Sequence, residues 1–397
     1  MKADLSNKTP CTDAVQPSPS ICELEQPVFF PGCPKPTVGV ELEVSLIDPH
    51  TYGLAPRAEE VLALINKPLE AKPELFQSIV ELNSSVCSTV QELKSDLTEK
   101  IQALHAVCKQ LNLLTCCTGT HPTASWRNVP VSNDTRYQAL VNQMQWPARR
   151  LLICGLHVHV GVKSGEHAIA LTKALSVFLP HMLALSASSP YWEGFDTGLA
   201  SSRTKIFEGL PTAGMPPALA NWGEFVSLMR TLYRAGSIRS IREIWWDIRP
   251  HPSFGTVEIR MCDGVNTLDE VCAVAAFIQS LVAYLQDLYD AGEPLPSLKG
   301  WTLKENKWRA TRFGLDAHII RNENGEQIHL HKHLCDWVEK LTPTATTLGC
   351  KEELLHVRSI LQHKPSYERQ RRIFAQTGSL QDVIQSLTHE FYHNKPV

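Results

Sequence analysis

The sequence predicts an α+β protein built on a largely antiparallel sheet. Several segments alternate apolar and polar residues with the two-residue period of a strand. Longer apolar segments with helical spacing lie among them, and the two kinds come in mixed order without a regular β-α-β rhythm. No repeat of solenoid length is visible.

Residues 1–36 are rich in Pro, Ser and Thr without a sustained period, and read as an extended or disordered N-terminal segment. Residues 37–397 then form a single domain. "TVGVELEVSLID" (37–48) places Val38, Val40, Leu42, Val44 and Leu46 on one strand face. Gly39, Glu41, Glu43 and Ser45 take the other, so this strand has an acidic face. "FQSIVELNSS" (76–85) is a second strand, with Gln77, Ile79, Glu81 and Asn83 on one face and Ser78, Val80 and Leu82 on the other. Thr89 and Glu92 match a capping box that opens a helix carrying Leu93, Leu97, Ile101, Leu104, Val107 and Leu111. "LLTCCTGTHP" (113–122) supplies the next strand and turn. In "LLICGLHVHVGV" (151–162), His157 and His159 share a face opposite Leu156, Val158 and Val160. Residues 166–189 read as one buried helix, and 190–223 as irregular chain of a length that suits a functional loop. "WWDIRPHPSFGTVEIRMCD" (245–263) contains another strand, backed by a helix over 268–290. Most of the chain beyond about 297 is helical.

The apolar fraction of 43%, the charged fraction of 20% and the net charge of −3 are those of a soluble globular protein and give no sign of a nucleic-acid partner. Arg369, Arg371 and Arg372 are the one short basic cluster, expected on the solvated face of a C-terminal helix. The N-terminus has no basic start followed by an apolar stretch, and "VCAVAAFIQSLVAYL" (271–285) fits a buried helix better than a membrane span, so a cytoplasmic protein without a membrane partner is expected. The twelve cysteines include no CxxC pair and are expected to stay reduced.

Carboxylates, histidines and arginines on strands are the candidates for chemistry. Glu41 and Glu43 repel each other unless a cation lies between them, which suits a hard divalent metal; a solvated acidic strand is the competing reading. Glu81 shares a strand face with Gln77, Ile79 and Asn83, and reads equally as a ligand or as an edge residue. Thr256, Glu258 and Arg260 share a face opposite Val257, Ile259 and Met261. A carboxylate beside a guanidinium suits either a metal ligand next to a phosphoryl clamp or a structural ion pair. Arg249 precedes the stiff turn "PHPSFG" and could meet a substrate carboxylate. On a helix at 305–317, Arg309 faces either a ligand or solvent, and Arg312 stands at i,i+4 to Asp316. No P-loop, GxGxxG turn, GxSxG elbow or marked nucleophilic cysteine occurs.

Taken in order, "GVELEV", "ELNSSVC", "GTHP", "GLHVHVGV", "WWDIRPHPSFGTVEIRMCDG" and "ENKWRATRFGLDA" resemble the type 2 glutamate–cysteine ligase family, also called carboxylate–amine ligases, over about residues 37–376. The resemblance implies a glutamine synthetase-like fold, in which a curved antiparallel sheet forms a funnel with helices packed outside. It implies an ATP-dependent ligase that uses Mg²⁺ (or Mn²⁺) to join the γ-carboxylate of glutamate to the amine of cysteine through an acyl phosphate. By the same resemblance Glu41, Glu43, Glu81 and Glu258 are metal ligands, with Glu43 also counted as catalytic. His157 touches metal and nucleotide phosphate, Arg260 steadies the transferring phosphoryl group, and His159 lies nearer substrate. Arg249 and Arg309 are carried over as substrate and phosphate contacts. Small molecules are then the partners, with a homo-oligomer possible. The alternatives are the same activation chemistry with another amine, a non-catalytic ATP- and amino-acid-binding protein of the same fold, or a metal-dependent hydrolase using the HxH pair.

Overall fold

The computed structural model describes residues 28–65 and 71–397. Of the segment expected to be extended, 1–27 lies outside the described residues, and 28–36 is irregular chain whose Cys33 N–H donates to the Val162 carbonyl.

Seven strands form the main sheet: β1 (Val38–Ile47), β2 (Ala71–Pro73), β3 (Ile79–Asn83), β4 (Leu114–Cys116), β5 (Gly155–Gly161), β8 (Ile248–His251) and β9 (Thr256–Asp263). Their order is β2-β3-β1-β5-β9-β8, β4 pairs with the end of β1, and every pairing is antiparallel. Two short ladders, β6 (Tyr191–Trp192) with β7 (Phe195–Asp196) and β10 (His318–Ile320) with β11 (Gln327–His329), stand apart from it.

The histidine strand β5 is central, between β1 and β9, so its polar face is not an ordinary solvated edge. Pro250 lies in β8, the edge strand, where a missing N–H costs no ladder bond. The apolar faces of β1, β3, β5 and β9 pack into one large core with the helices Val90–Gln110, Leu268–Asp290, Leu330–Leu348 and Lys351–His363. The opposite face of the sheet carries the charged side chains.

The helix Val90–Gln110 begins as expected, with Thr89 Oγ1 accepting from Glu92 N at 3.1 Å. The reciprocal half of the box is displaced: the Glu92 carboxylate accepts from Ser88 N. A complete box instead opens Leu268–Asp290, through Thr267 and Glu270. The single helix expected over 166–189 is two, Gly165–Leu175 and Leu179–Ser186, joined by a 3₁₀ turn at Ser176–Phe178. Pro180, in the first turn of the second helix, accounts for the break, because it has no N–H to donate to the preceding turn. Taken across its 3₁₀ turn, the run Gly165–Ser186 is long and apolar enough to cross a membrane, as is Leu268–Asp290, but 83% and 89% of their most apolar windows are buried inside the fold, as in core helices.

Two surface expectations are corrected. Arg369 is not solvated: it is fully buried and forms ion pairs with Glu270 and Glu390, since its helix, Ser366–Thr377, packs inward on that side. Arg312 donates to the Gly198 carbonyl, with no ion pair to Asp316, whose residue lies past the helix end in a 3₁₀ turn. The cysteines among the described residues are all free, and eight of the ten are buried.

Candidate active site

Strand register assembles the polar face. Glu41 lies opposite His157 across β1 and β5, and Glu43 opposite Glu81 across β1 and β3. His159 lies opposite Glu258 across β5 and β9, and Glu258 opposite Arg249 across β9 and β8. Because every second residue of each strand faces the same way, one row of charged side chains runs across five strands. A bulge in β9 opposite His157 turns both Met261 and Cys262 into the core and swings Asp263 to the polar side. There Asp263 accepts from Ser188 N, Ser189 Oγ and Ser201 Oγ.

A cavity of about 390 Å³ opens over this face. Its far wall comes from the helix Thr135–Met144, the stretch 203–210 and Arg242 and Trp245. The segment 190–223 therefore does reach the site, through Arg203, Phe207 and Leu210, although part of it is the β6–β7 hairpin and the short helix Ser202–Phe207.

The carboxylates fall into two sets, each with ligand atoms within 4.8 Å of one another: Glu41 with His159 and Glu258, and Glu43 with Glu74 and Glu81. His157 stands between the sets, with Nδ1 3.0 Å from Glu41 and Nε2 4.0 Å from Glu43. His159 Nε2 lies 3.5 Å from Glu41 and 3.8 Å from Glu258, while its Nδ1 meets Thr256 Oγ1 at 3.1 Å. Glu258 is fully buried between Arg249, whose Nε donates to it at 2.6 Å, and Arg260.

The two sets differ in protonation. Burial pushes Glu43 and Glu74 up to about 7, each helped by a neighbouring carboxylate, and pushes Glu81 well above the ordinary range. Burial also opposes ionisation of Glu41 and Glu258, but hydrogen bonds from His157 and His159 to Glu41, and the charges of Arg249 and Arg260 beside Glu258, outweigh it and hold both low. Burial, aided by the Arg260 charge, lowers His157 to about 4, so it is neutral near pH 7.

Four buried nitrogens of residues that line the cavity have no hydrogen-bond partner: His157 Nε2, Arg203 Nε, His251 Nδ1 and Arg260 Nε. Buried polar atoms are nearly always satisfied, so unsatisfied ones around carboxylate sets fit a site built for ions and anionic ligands. The all-carboxylate set offers oxygens to a hard divalent cation, and the set with His159 accepts the same class.

The structure thus brings Glu41, Glu43, Glu81, His157, His159, Arg249, Glu258 and Arg260 together. It groups His159 with a carboxylate set, and it occupies Arg249 with Glu258 and the carbonyls of Ile241 and Ile244. Arg309 is elsewhere: it bonds Glu305, the His318 carbonyl and Gln327, and does not line the cavity. Glu74, Arg203, His251 and Phe254 also line the cavity and were not singled out from sequence. Glu74 follows Pro73 in a loop and Arg203 sits in a short helix, where no period marks an inward-facing residue; His251 and Phe254 flank a turn whose prolines drew attention to Arg249 alone.

A family model described as glutamate–cysteine ligase family 2 matches residues 37–386. A protein of Thermobifida fusca named "Putative glutamate--cysteine ligase 2" is 48% identical over 377 residues, covering 93% of this chain and 94% of its own length. One of Frankia alni named "Putative glutamate--cysteine ligase 2-1" is 45% identical over 375 residues, covering 93% and 98%. Among solved structures, glutamate–cysteine ligase from Francisella tularensis in complex with AMP is similar with a TM-score of 0.65 at 13% identity, covering 91% of this chain and 90% of that one. A bifunctional glutathione synthetase from Pasteurella multocida is similar with a TM-score of 0.60 at 12% identity, covering 90% and 52%. These two show a shared fold, and the family match with the close relatives shows that the chain belongs to glutamate–cysteine ligase family 2.

Proposed function

We propose that this chain is an ATP-dependent carboxylate–amine ligase that joins the γ-carboxylate of glutamate to the amine of cysteine, with Mg²⁺ or Mn²⁺ as its metal. The observation that carries this reading is the sheet face under the cavity, where two carboxylate sets, His157, His159 and the Arg260 guanidinium lie side by side. Divalent ions held by Glu41, His159 and Glu258 and by Glu43, Glu74 and Glu81 would supply positive charge against a triphosphate.

A carboxylate is a poor electrophile because its charge is delocalised and it has no good leaving group. Transfer of the terminal phosphoryl group of ATP to a carboxylate oxygen releases ADP and gives an acyl phosphate. The amine, having lost its proton, attacks the acyl carbon; the amide bond forms and inorganic phosphate leaves. Neither step needs an enzyme nucleophile, so positioning and electrostatics are what the chain must provide. Arg260, with its Nε free, is a fixed cation for the moving phosphoryl group. His157, neutral and donating its Nδ1 proton to Glu41, presents the Nε2 lone pair where a divalent ion beside the phosphates would sit, and Arg249 holds the Glu258 carboxylate in place next to Glu41 and His159. The reading takes residues 37–397 as one catalytic unit acting on small molecules in the cytoplasm.

The test is phosphate release by the purified protein with ATP, Mg²⁺ and glutamate, with and without cysteine, alongside mass spectrometry of the products. Cysteine-dependent phosphate release with a γ-glutamylcysteine mass is the expected result. Phosphate release without that product would reassign the acceptor to another amine, and no release with any amine would overturn the ligase reading.

A further inference from the structure

We propose that the stacked rings of His251 and Phe254 are the platform on which the base of the nucleotide substrate lies. This rests on the reading that the cavity takes a nucleoside triphosphate. His251 ends β8, and Phe254 belongs to the turn leading into β9. Their rings are nearly parallel, 9° apart with centroids at 4.2 Å, and both line the cavity. Phe254 is 58% exposed, so with His251 covering one side of its ring the other is bare at the cavity mouth.

Position selects a base as the occupant. Both ring centroids lie 5.6 Å from that of His159, with the planes steeply inclined to it, and His159 belongs to the carboxylate set with Glu41 and Glu258. A ligand whose phosphates sit among those groups and Arg260 carries its base and sugar away from them, and the adjacent flat apolar surface is this pair. The platform is also fixed in place. Gly255 takes φ +66° with the Gly32 backbone packed against it, and its carbonyl accepts from Val162 N at 3.1 Å. His251 Nδ1 is buried without a partner and is the polar atom the pair can offer to a sugar or base edge. Stacking on an aromatic face favours any planar base, and its removal typically weakens binding about ten-fold.

The experiment is titration of Mg²⁺-ATP, Mg²⁺-ADP and Mg²⁺-tripolyphosphate into the wild-type protein, Phe254→Leu and Phe254→Trp. Phe254 sits in an exposed turn, so neither substitution opens a core cavity. In the leucine variant, ATP and ADP should bind about ten-fold more weakly while tripolyphosphate stays within about two-fold; the tryptophan variant should keep nucleotide affinity. Unchanged ATP affinity in Phe254→Leu, or an equal loss for ATP and tripolyphosphate, would overturn the platform, as would a wild-type protein that binds tripolyphosphate as tightly as ATP. A wild-type protein that binds ATP and loses affinity on Phe254→Leu, yet joins no carboxylate to any amine, would sink the ligase reading and leave the platform standing.

Discussion

Glu43 is where the two carboxylate sets come closest to being one. It faces Glu81 across the β1–β3 ladder, accepts the Gly155 N–H, and lies 4.0 Å from the histidine that bonds Glu41. Its carboxyl, raised to about 7 by burial with a contribution from Glu81, is poised to exchange a proton for a cation. Glutamine has the same shape and cannot ionise. Glu43→Gln should therefore cut phosphate release at least about 100-fold while the melting temperature holds or rises. Unchanged turnover would remove Glu43 from the metal site. Arg309 provides the contrast. Its guanidinium is engaged on the outside of its helix, so Arg309→Ala should leave turnover within about two-fold, the size expected of a surface change away from the site. A large loss in the same steady-state assay would place Arg309 in the site in a conformation different from this one.

At the scale of elements, the strands act as rulers and their irregularities as adjustments. The β9 bulge is what sends Asp263 to the serine cluster behind the site, and Gly155, at the start of β5, is what lets Arg203 approach. A Cβ at Gly155 would overlap the Arg203 guanidinium and lie 3.1 Å from His157 Nε2. Gly155→Ala should thus push two cavity-lining groups aside at a stability cost of about 1–3 kcal/mol, with ligase activity falling at least about ten-fold. Thermal unfolding beside steady-state kinetics checks this, and full activity would mean that Arg203 has room to move. The same distinction explains what could be read from sequence. Glu41, Glu43, His157, His159, Glu258 and Arg260 were legible because strand alternation is a local rule and reaches each of them. Glu74 and Arg203 were not, because a loop and a six-residue helix deliver them by tertiary packing. Arg309 and Arg369 misled for the converse reason: helical position alone does not say which neighbour a face will meet. The antiparallel sheet and the long helices followed from periodicity, whereas the break at Ser176–Phe178 depended on one proline inside an otherwise continuous apolar run.

For the whole molecule, a net charge of −3 hides a concentration of carboxylates at one place, and that concentration links stability to pH and, on the proposed function, to metal. Glu43 and Glu74 titrate at about 7 in the folded chain against an ordinary 4.5. Below about pH 4.5 both groups are protonated in the folded and the unfolded chain, so their contribution is fully present. Between there and about 7 the unfolded chain has released its protons and the folded chain holds them, so this stability is lost as pH rises through that window. Glu41 and Glu258 act in the opposite sense, but their folded values are depressed, and their contribution is lost only as pH falls below the ordinary carboxylate range. A divalent cation bound by Glu43, Glu74 and Glu81 takes the place of the protons and stabilises the fold according to its concentration relative to its dissociation constant. The protein stripped of divalent ions should therefore melt at progressively lower temperature from pH 5 to pH 8, and millimolar Mg²⁺ or Mn²⁺ should raise the melting temperature more at pH 8 than at pH 6. Glu43→Gln combined with Glu74→Gln should flatten both trends, because the groups that exchange protons for metal are gone. A metal-induced shift of the same size at every pH, or one that survives in the double variant, would place the bound ion outside this carboxylate set.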